Sequence, residues 1–297
     1  MTILKTAFSR LFGSSPPQAA PGSQVTGGES AGSRAYNSAP KDRIIVGASQ
    51  STGLERSHNE DAQLVIKGDS AGVEPLPEFG FFLVADGMGG HRAGEVASNV
   101  SIRSVARKLM EETVLHLLDL DNTTEMLPLQ ELLHAALDEA NSAVVKQVPG
   151  GGTTMTAALL LGSQLTIGHV GDSRAYSIND GQIDILTRDH SLVERLKELG
   201  QLTAEEAESH PQRNVLYRAI GQGANLEIDV FTTTAPKGGH LLLCSDGLWG
   251  VVPDPQIKHI VNHAPHPQIA AEQLVQAANL AGGPDNISVV IVRFPPD

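Results

Sequence analysis

Phe81-Phe82-Leu83-Val84-Ala85-Asp86-Gly87 is an unbroken apolar run that ends in an aspartate and a glycine, and Leu241-Leu242-Leu243-Cys244-Ser245-Asp246-Gly247 repeats the pattern far along the chain. A short apolar run closed by a turn pair reads as a buried strand, so each aspartate stands where the chain leaves a sheet and its carboxylate can face a cleft. Either Asp-Gly pair alone would more often be a simple turn. Two carboxylates brought to strand ends from distant segments point instead to a site for a hard cation.

Outward from these two strands the patterns are regular from Ile44 onward. Strands are expected at 44–47, 62–66, 79–85, 155–161, 165–170, 174–177, 183–186, 229–234, 240–245 and 287–293, with Asn179-Asp180-Gly181 as a tight turn between two of them. Helices are expected at 93–112, 129–147 and 269–280, and shorter ones at 192–199 and 204–209. In the second, Leu129, Leu132, Leu133, Ala136, Leu137, Ala140 and Val144 form one apolar stripe. Thr203 and Glu206 make a capping box for the last. Hairpin-like strand runs interrupted by helix pairs, in place of strict βαβ alternation, indicate an α+β fold with antiparallel sheets.

Composition bounds the function. At 297 residues with 40% apolar content the chain can pack a large core, and with 4% aromatics that core is mostly aliphatic. There is no run of eighteen apolar residues and no signal-peptide pattern, which argues against a spanning helix or export. Cys244 is the only cysteine, so no intrachain disulfide forms and a reducing, cytoplasmic setting is expected. The net charge of -13 argues against nucleic acid as a partner. Residues 1–41 are rich in Gly, Ser, Ala and Pro and are expected to form a disordered tail, leaving 42–297 as a single domain. Within that tail Leu4, Phe8, Leu11 and Phe12 fall at helical spacing; a frayed end is the reading taken over a surface helix or a presequence.

The chemistry-bearing segments all join an acid to a strand end: Arg56-Ser57-His58-Asn59-Glu60-Asp61, Asp86-Gly87-Met88-Gly89-Gly90-His91, Gly171-Asp172-Ser173-Arg174, Ser245-Asp246-Gly247-Leu248-Trp249 and Asp285-Asn286-Ile287. Carboxylates, a carbonyl exposed by glycine, and water are the oxygen donors that Mg²⁺ and Mn²⁺ prefer. The eleven histidines read as showing no zinc-ligand spacing. Trp249 reads as core packing behind Asp246, and His190 as making a structural hydrogen bond rather than a catalytic pair with Asp189.

Taken in order, with Leu186-Thr187-Arg188-Asp189-His190-Ser191 and Leu216-Tyr217-Arg218-Ala219-Ile220-Gly221 between them, these segments resemble the metal-dependent serine/threonine protein phosphatases of type 2C, in their bacterial form. The resemblance runs from about Ile44 to Phe294. It implies a four-layer αββα sandwich of two antiparallel sheets flanked by helices, and two Mn²⁺ or Mg²⁺ ions. Asp86 matches the carboxylate that bridges them, with the Gly87 carbonyl, Asp246 and Asp285 on the first, and Glu60 and Asp61 on the second or its waters. Asp172 matches the ligand of a third, weaker ion, with a turn-closing role as the alternative. Arg56 matches the phosphate-binding arginine. The resemblance further implies that a water held by the two cations would be deprotonated near neutral pH and would attack phosphorus in line, with no covalent intermediate. Consistently, Gly250 stands where a cysteine phosphatase would have its arginine after Cys244.

One departure from the family concerns the leaving group. Met88 occupies a place where some members have a histidine that protonates it, which leaves His91 or a water; water is the reading taken. The expected partners are phosphorylated proteins, including serine/threonine kinases and their substrates, with the enzyme itself a monomer. The segment from Val193 to Asn214 is expected to form a flap beside the site. Two rivals are a nucleotide-binding module, disfavoured because 87–94 lacks a Gly-Lys-Ser/Thr ending, and an inactive phosphoprotein-binding scaffold, disfavoured because every carboxylate position is filled.

Overall fold

In the second half of the chain, Leu241 and Leu243 face one way while Leu242 and Cys244 face the other, and this alternation sets the architecture. Leu241 and Leu243 join Phe82, Val84, Leu160, Ile167, Val290 and Val292 in a core between two sheets. Leu242 and Cys244 join a second core with helical residues such as Ile257, Ala271 and Leu274. Phe81, Leu83 and Ala85 turn to a third core with Leu132, Leu133 and Leu137. Strands buried on both faces read as continuous apolar runs, which is why the sequence shows no polar alternation there.

The computed structural model describes residues 43–70, 76–89, 92–119, 126–179, 181–208 and 210–296, all within one compact unit. The N-terminal tail with its 1–12 segment, and His91, lie outside the described residues. The strands are β1 (Ile45–Ser51), β2 (Ala62–Gly68), β3 (Phe79–Ala85), β4 (Gly87–Met88), β5 (Gly152–Thr153), β6 (Met155–Leu161), β7 (Gln164–Val170), β8 (Arg174–Asn179), β9 (Gln182–Ile185), β10 (Asp229–Thr234), β11 (His240–Cys244) and β12 (Ile287–Arg293). The helices are α1 (Ala93–Leu109), α2 (His116–Leu118), α3 (Leu129–Gln147), α4 (Leu192–Glu198), α5 (Ala204–Glu208), α6 (Asp246–Trp249), α7 (Asp254–His263) and α8 (Pro267–Leu280).

One sheet runs β1-β12-β11-β8-β9, the other β10-β7-β6-β3-β2, and β4 pairs with β5. Every pairing between named strands is antiparallel. Helices α1 and α3 cover the second sheet, while α6, α7 and α8 cover the first. This is the expected αββα order. Each fully buried leucine of α3 contributes about 2 kcal/mol relative to exposure.

Besides the short α6, which was not expected, two helical features depart from expectation. The helix expected at 93–112 continues to Leu118 through a π-helical segment, Met110–Leu115. Buried Leu109 and Val114 are five residues apart, so a wider turn keeps both against the sheet where an α-turn would rotate one away. Helix α7 was not expected, although Asp254-Pro255 opens it and Ile257 and Val261 bury one face. The capping box of α5 forms: the Thr203 N–H donates to Glu206 Oε2 at 2.8 Å, and the Glu206 N–H donates to Thr203 Oγ1 at 3.2 Å.

Candidate metal centre and active site

Strand register brings the acids to one end of the sandwich. Ala62 lies opposite Ala85 across β2 and β3, so Asp61 enters its sheet where Asp86 leaves it. Cys244 lies opposite Val289 across β11 and β12, which puts Asp246 beside the residues that open β12 and so near Asp285. Asp172 follows β7, a strand of the same sheet as β3. The sequence therefore delivers five aspartates from five segments to a single mouth between the sheets.

Hydroxyl and amide side chains hold these segments in place. Asp61 Oδ2 accepts from Ser245 Oγ at 2.7 Å and from Ser288 Oγ at 2.8 Å. Ser245 stands at the N-cap of α6, but its hydroxyl is directed to Asp61 rather than to the helix. The Asp86 N–H donates to Thr154 Oγ1 at 2.9 Å, and its carbonyl accepts from the Thr154 N–H and from Thr153 Oγ1, both at 2.8 Å. Asn286 accepts from the Glu60 N–H at 2.8 Å, and its amide donates to the carbonyls of Thr52 and His58. It thereby staples the loop that carries Arg56 to the start of β12. Sequence reasoning missed Ser245, Ser288, Thr154 and Asn286 as site residues; their signal is a polar side chain at or just beyond the end of an otherwise apolar strand.

The glycine after Asp86 is required by space. A Cβ on Gly87 would stand 2.3 Å from the Gly94 carbonyl oxygen and 2.5 Å from that of Glu60. The backbone of the loop, the start of α1 and the Glu60 segment therefore meet at van der Waals limits. Ser98 of α1 donates to the same Glu60 carbonyl at 2.6 Å.

Electrostatically the cluster is under strain. Burial, assisted by Asp246 and Asp285 and opposed by the two serine donors, pushes Asp61 up to about 7. Burial and Asp285 push Asp246 up to about 6, against the opposing pull of the Asp86 carboxyl and Arg56. Asp86 and Asp172 are held well above the carboxylate range by burial and by the other acids, Asp86 feeling Asp61, Asp246, Asp172 and Asp285 at once. Asp61 Oδ1 and Asp246 Oδ1 are buried without a hydrogen-bond partner. Buried carboxyl oxygens without a hydrogen-bond partner are stabilised by a cation or a proton.

The donors fit Mg²⁺ or Mn²⁺: carboxylate oxygens left over after structural bonds, with a glycine carbonyl beside them. Among the described residues no group of three or more acids, imidazoles or thiols is already close enough to hold an ion by itself. Arg56, half exposed, donates from Nη2 to Asp285 Oδ2 at 2.7 Å, so the expected phosphate ligand and an expected metal ligand are neighbours. Glu60 Oε1 lies 3.0 Å from His58 Nε2.

Trp249 is only half-buried; its ring lies 3.6 Å beneath the Arg174 guanidinium and its Nε1 donates to the Asp172 carbonyl at 3.0 Å, so it supports the Asp172 turn as well as the core. Asp189 pairs with Arg174 and His190 with Asp229, which leaves His190 structural as expected. His259 and His263 do stand one helical turn apart on α7, with ring centroids 4.1 Å apart, but the stack is exposed and has two of the four ligands a tetrahedral zinc site takes.

The family model for protein phosphatase 2C matches residues 57–281. The serine/threonine phosphatase stp of Listeria innocua is 37% identical over 250 residues, covering 81% of this chain and 92% of its own. The serine/threonine protein phosphatase PstP of Mycobacterium tuberculosis is 38% identical over 245 residues, covering 80% of this chain and 43% of its own. A crystal structure of the PstP catalytic domain in complex with two manganese ions superposes with a TM-score of 0.68 at 33% identity, covering 86% of this chain and 99% of that one. Arg56 and Asp285 fall just outside the span of the family model.

Proposed function

This chain belongs to the protein phosphatase 2C family, and from that premise we infer how its own residues carry out serine/threonine phosphoprotein hydrolysis. It is a metal-dependent protein serine/threonine phosphatase that uses Mn²⁺ or Mg²⁺. The observation that carries the assignment of residues is the set of buried, mutually repelling aspartates with unpartnered oxygens at one mouth of the sandwich.

We assign Asp86 to both principal ions, with the Gly87 carbonyl, Asp246 and Asp285 for the first, Glu60 and Asp61 for the second or its waters, and Asp172 for a third. When bound, the divalent ions supply Lewis acidity, lowering the pKa of a water near neutrality and offsetting charge on the phosphoryl group. Arg56 holds the phosphate: its planar fork has donors beyond the one that Asp285 takes, and the loop that bears it is fixed by Asn286. Asp285 orients the guanidinium and so links substrate binding to the metal cluster. Met88 has no proton to give, and of the two remaining donors, His91 and water, water is the one we assign to the leaving alkoxide.

The substrates are proposed to be phosphoserine and phosphothreonine proteins, with serine/threonine kinases and their targets among them. The work is proposed to be done by a monomer. No helix among the described residues is long and apolar enough to cross a membrane. The buried, unpaired Cys244 supports a cytoplasmic location.

Phosphate release from a phosphothreonine peptide, by the wild type and Asp86→Asn with Mn²⁺ or with chelator, tests the assignment. Metal-dependent turnover in the wild type and a loss of at least 100-fold in the variant are expected. A folded, Mn²⁺-loaded wild type that binds the peptide without turnover would favour the phosphoprotein-binding scaffold.

A further inference from the structure

The turn that carries Asp172 is gripped by a residue that takes no part in the cluster of acids. His190 is fully buried. Its backbone N–H donates to the Gly171 carbonyl at 2.7 Å, and its Nδ1 accepts from the Gly171 N–H at 3.1 Å, so both polar groups of the residue before Asp172 are bonded to one histidine. An accepting Nδ1 carries no proton, which places the proton of the neutral ring on Nε2. Nε2–H donates to Asp229 Oδ2 at 3.2 Å, and Arg218, whose Nη1 also approaches Nε2 to 3.3 Å, holds that carboxylate through Oδ1 at 3.1 Å. Burial lowers the pKa of the ring against the pull of Asp229, which keeps Nδ1 an acceptor.

The remaining bonds of the turn are equally specific. Trp249 donates to the Asp172 carbonyl, Thr156 Oγ1 donates to the Ser173 carbonyl at 2.9 Å, and Thr154 Oγ1 pairs with Ser173 Oγ at 2.7 Å. On its other side His190 closes the neck of the segment between Leu192 and Val215. Its carbonyl accepts from the Tyr217 N–H at 2.9 Å, Ser191 pairs with Leu216, and the Leu192 N–H donates to the Val215 carbonyl at 2.8 Å.

We propose that His190 is a positioning residue for the weakest metal site: its Nδ1, aimed by Asp229, fixes the Gly171-Asp172 turn in its cation-binding shape and ties that turn to the neck of the 192–215 segment. The inference rests on the reading of Asp172 as a metal ligand. Two isosteric variants separate the roles of the two ring nitrogens. In His190→Asn the amide oxygen takes the place of Nδ1, whereas in His190→Gln the amide nitrogen takes the place of Nε2 and the acceptor for Gly171 is lost.

The experiment is a Mn²⁺ titration of the full chain, with free ion counted by electron paramagnetic resonance. His190→Gln is expected to raise the Kd of the weakest-bound ion about tenfold, the effect of losing one buried hydrogen bond. The tighter ions should stay within about twofold, as should all ions in His190→Asn. In kcat/KM, His190→Gln should be silent in an Asp172→Asn background, because coupled sites do not add. Equal effects of Asn and Gln, or weakening of every ion alike, would reduce His190 to a general structural role and overturn the proposal. If Asp172→Asn leaves the stoichiometry of Mn²⁺ unchanged, the ligand reading of Asp172 falls and the proposal with it. If Asp172→Asn removes one ion while His190→Gln changes nothing, the positioning role alone falls. Should His190→Gln fail to fold, Asp229→Ala at the half-exposed end of the network carries the test. A Kd for the weakest ion raised about threefold is expected, and an unchanged Kd overturns the proposal.

Discussion

Replacing Asp246 with asparagine should stabilise the metal-free protein while abolishing its activity. Burial and Asp285 raise the Asp246 pKa from 3.8 to about 6, which corresponds to ~3 kcal/mol of differential interaction between the two protonation states. The folded pKa is the higher one, so the stabilising contribution is complete below pH 4 and is lost as pH rises through 6. An amide is neutral at every pH and removes that loss. Its new N–H donors find the Asp86 carboxyl beside them, and allowing for imperfect geometry the net gain at pH 8 should be about 2 kcal/mol. For a domain of this size that is a rise in Tm of about 5 °C in chelator, shrinking to under about 1 °C at pH 4.5. With Mn²⁺ at 100 times its Kd the wild type gains about 2.7 kcal/mol that the variant does not, and the order reverses. Thermal melts of both proteins at the two pH values, with Mn²⁺ and with chelator, read all four cases. Equal Tm values at pH 8 in chelator, or a gain that persists unchanged at pH 4.5, would refute the picture of a repelling acid cluster.

Other outcomes follow from the same geometry. Gly247→Ala would place a Cβ 2.0 Å from the Asn286 carbonyl oxygen, a backbone atom that cannot swing away; urea titration should show a loss of at least about 2 kcal/mol. Arg56→Lys keeps the charge but loses the fork; with Arg56 half exposed, Tm should move by less than about 2 °C while kcat/KM for a phosphothreonine peptide falls about 10- to 100-fold. An unchanged kcat/KM would remove Arg56 from phosphate binding. Cys244 is buried and its thiol pKa is pushed far up by burial, so iodoacetamide should label it in urea and not in the folded enzyme. Labelling of the native protein, followed by mass spectrometry, would contradict the packing of β11.

The layer order was legible because strands such as β3, β6 and β12 are apolar on both faces, and the long stripe on α3 names the helix that covers one of them. The acids were legible because each ends or opens such a strand. What the sequence did not reveal is what the acids lean on. Nothing in the chain marks Ser245 and Ser288 as two donors to one carboxylate oxygen, since they meet across β11 and β12 only once register is known. Asn286 adjoins Asp285 in sequence, but its grip on Thr52 and His58 spans more than two hundred residues. The π-helical segment after α1 escaped because a shift of one residue in a stripe is invisible to a 3.6-residue period. Helix α7 was missed because it is short and only one face is apolar.

Anomalous diffraction at the manganese edge, from crystals of the full chain soaked in Mn²⁺, tests the central assignment most directly. Two strong peaks are expected flanking Asp86, each within about 2.5 Å of a carboxylate oxygen, one shared with Asp246 and Asp285 and one on the side of Glu60 and Asp61. A well-occupied manganese peak elsewhere, with none in reach of both Asp86 and Asp246, would contradict that assignment.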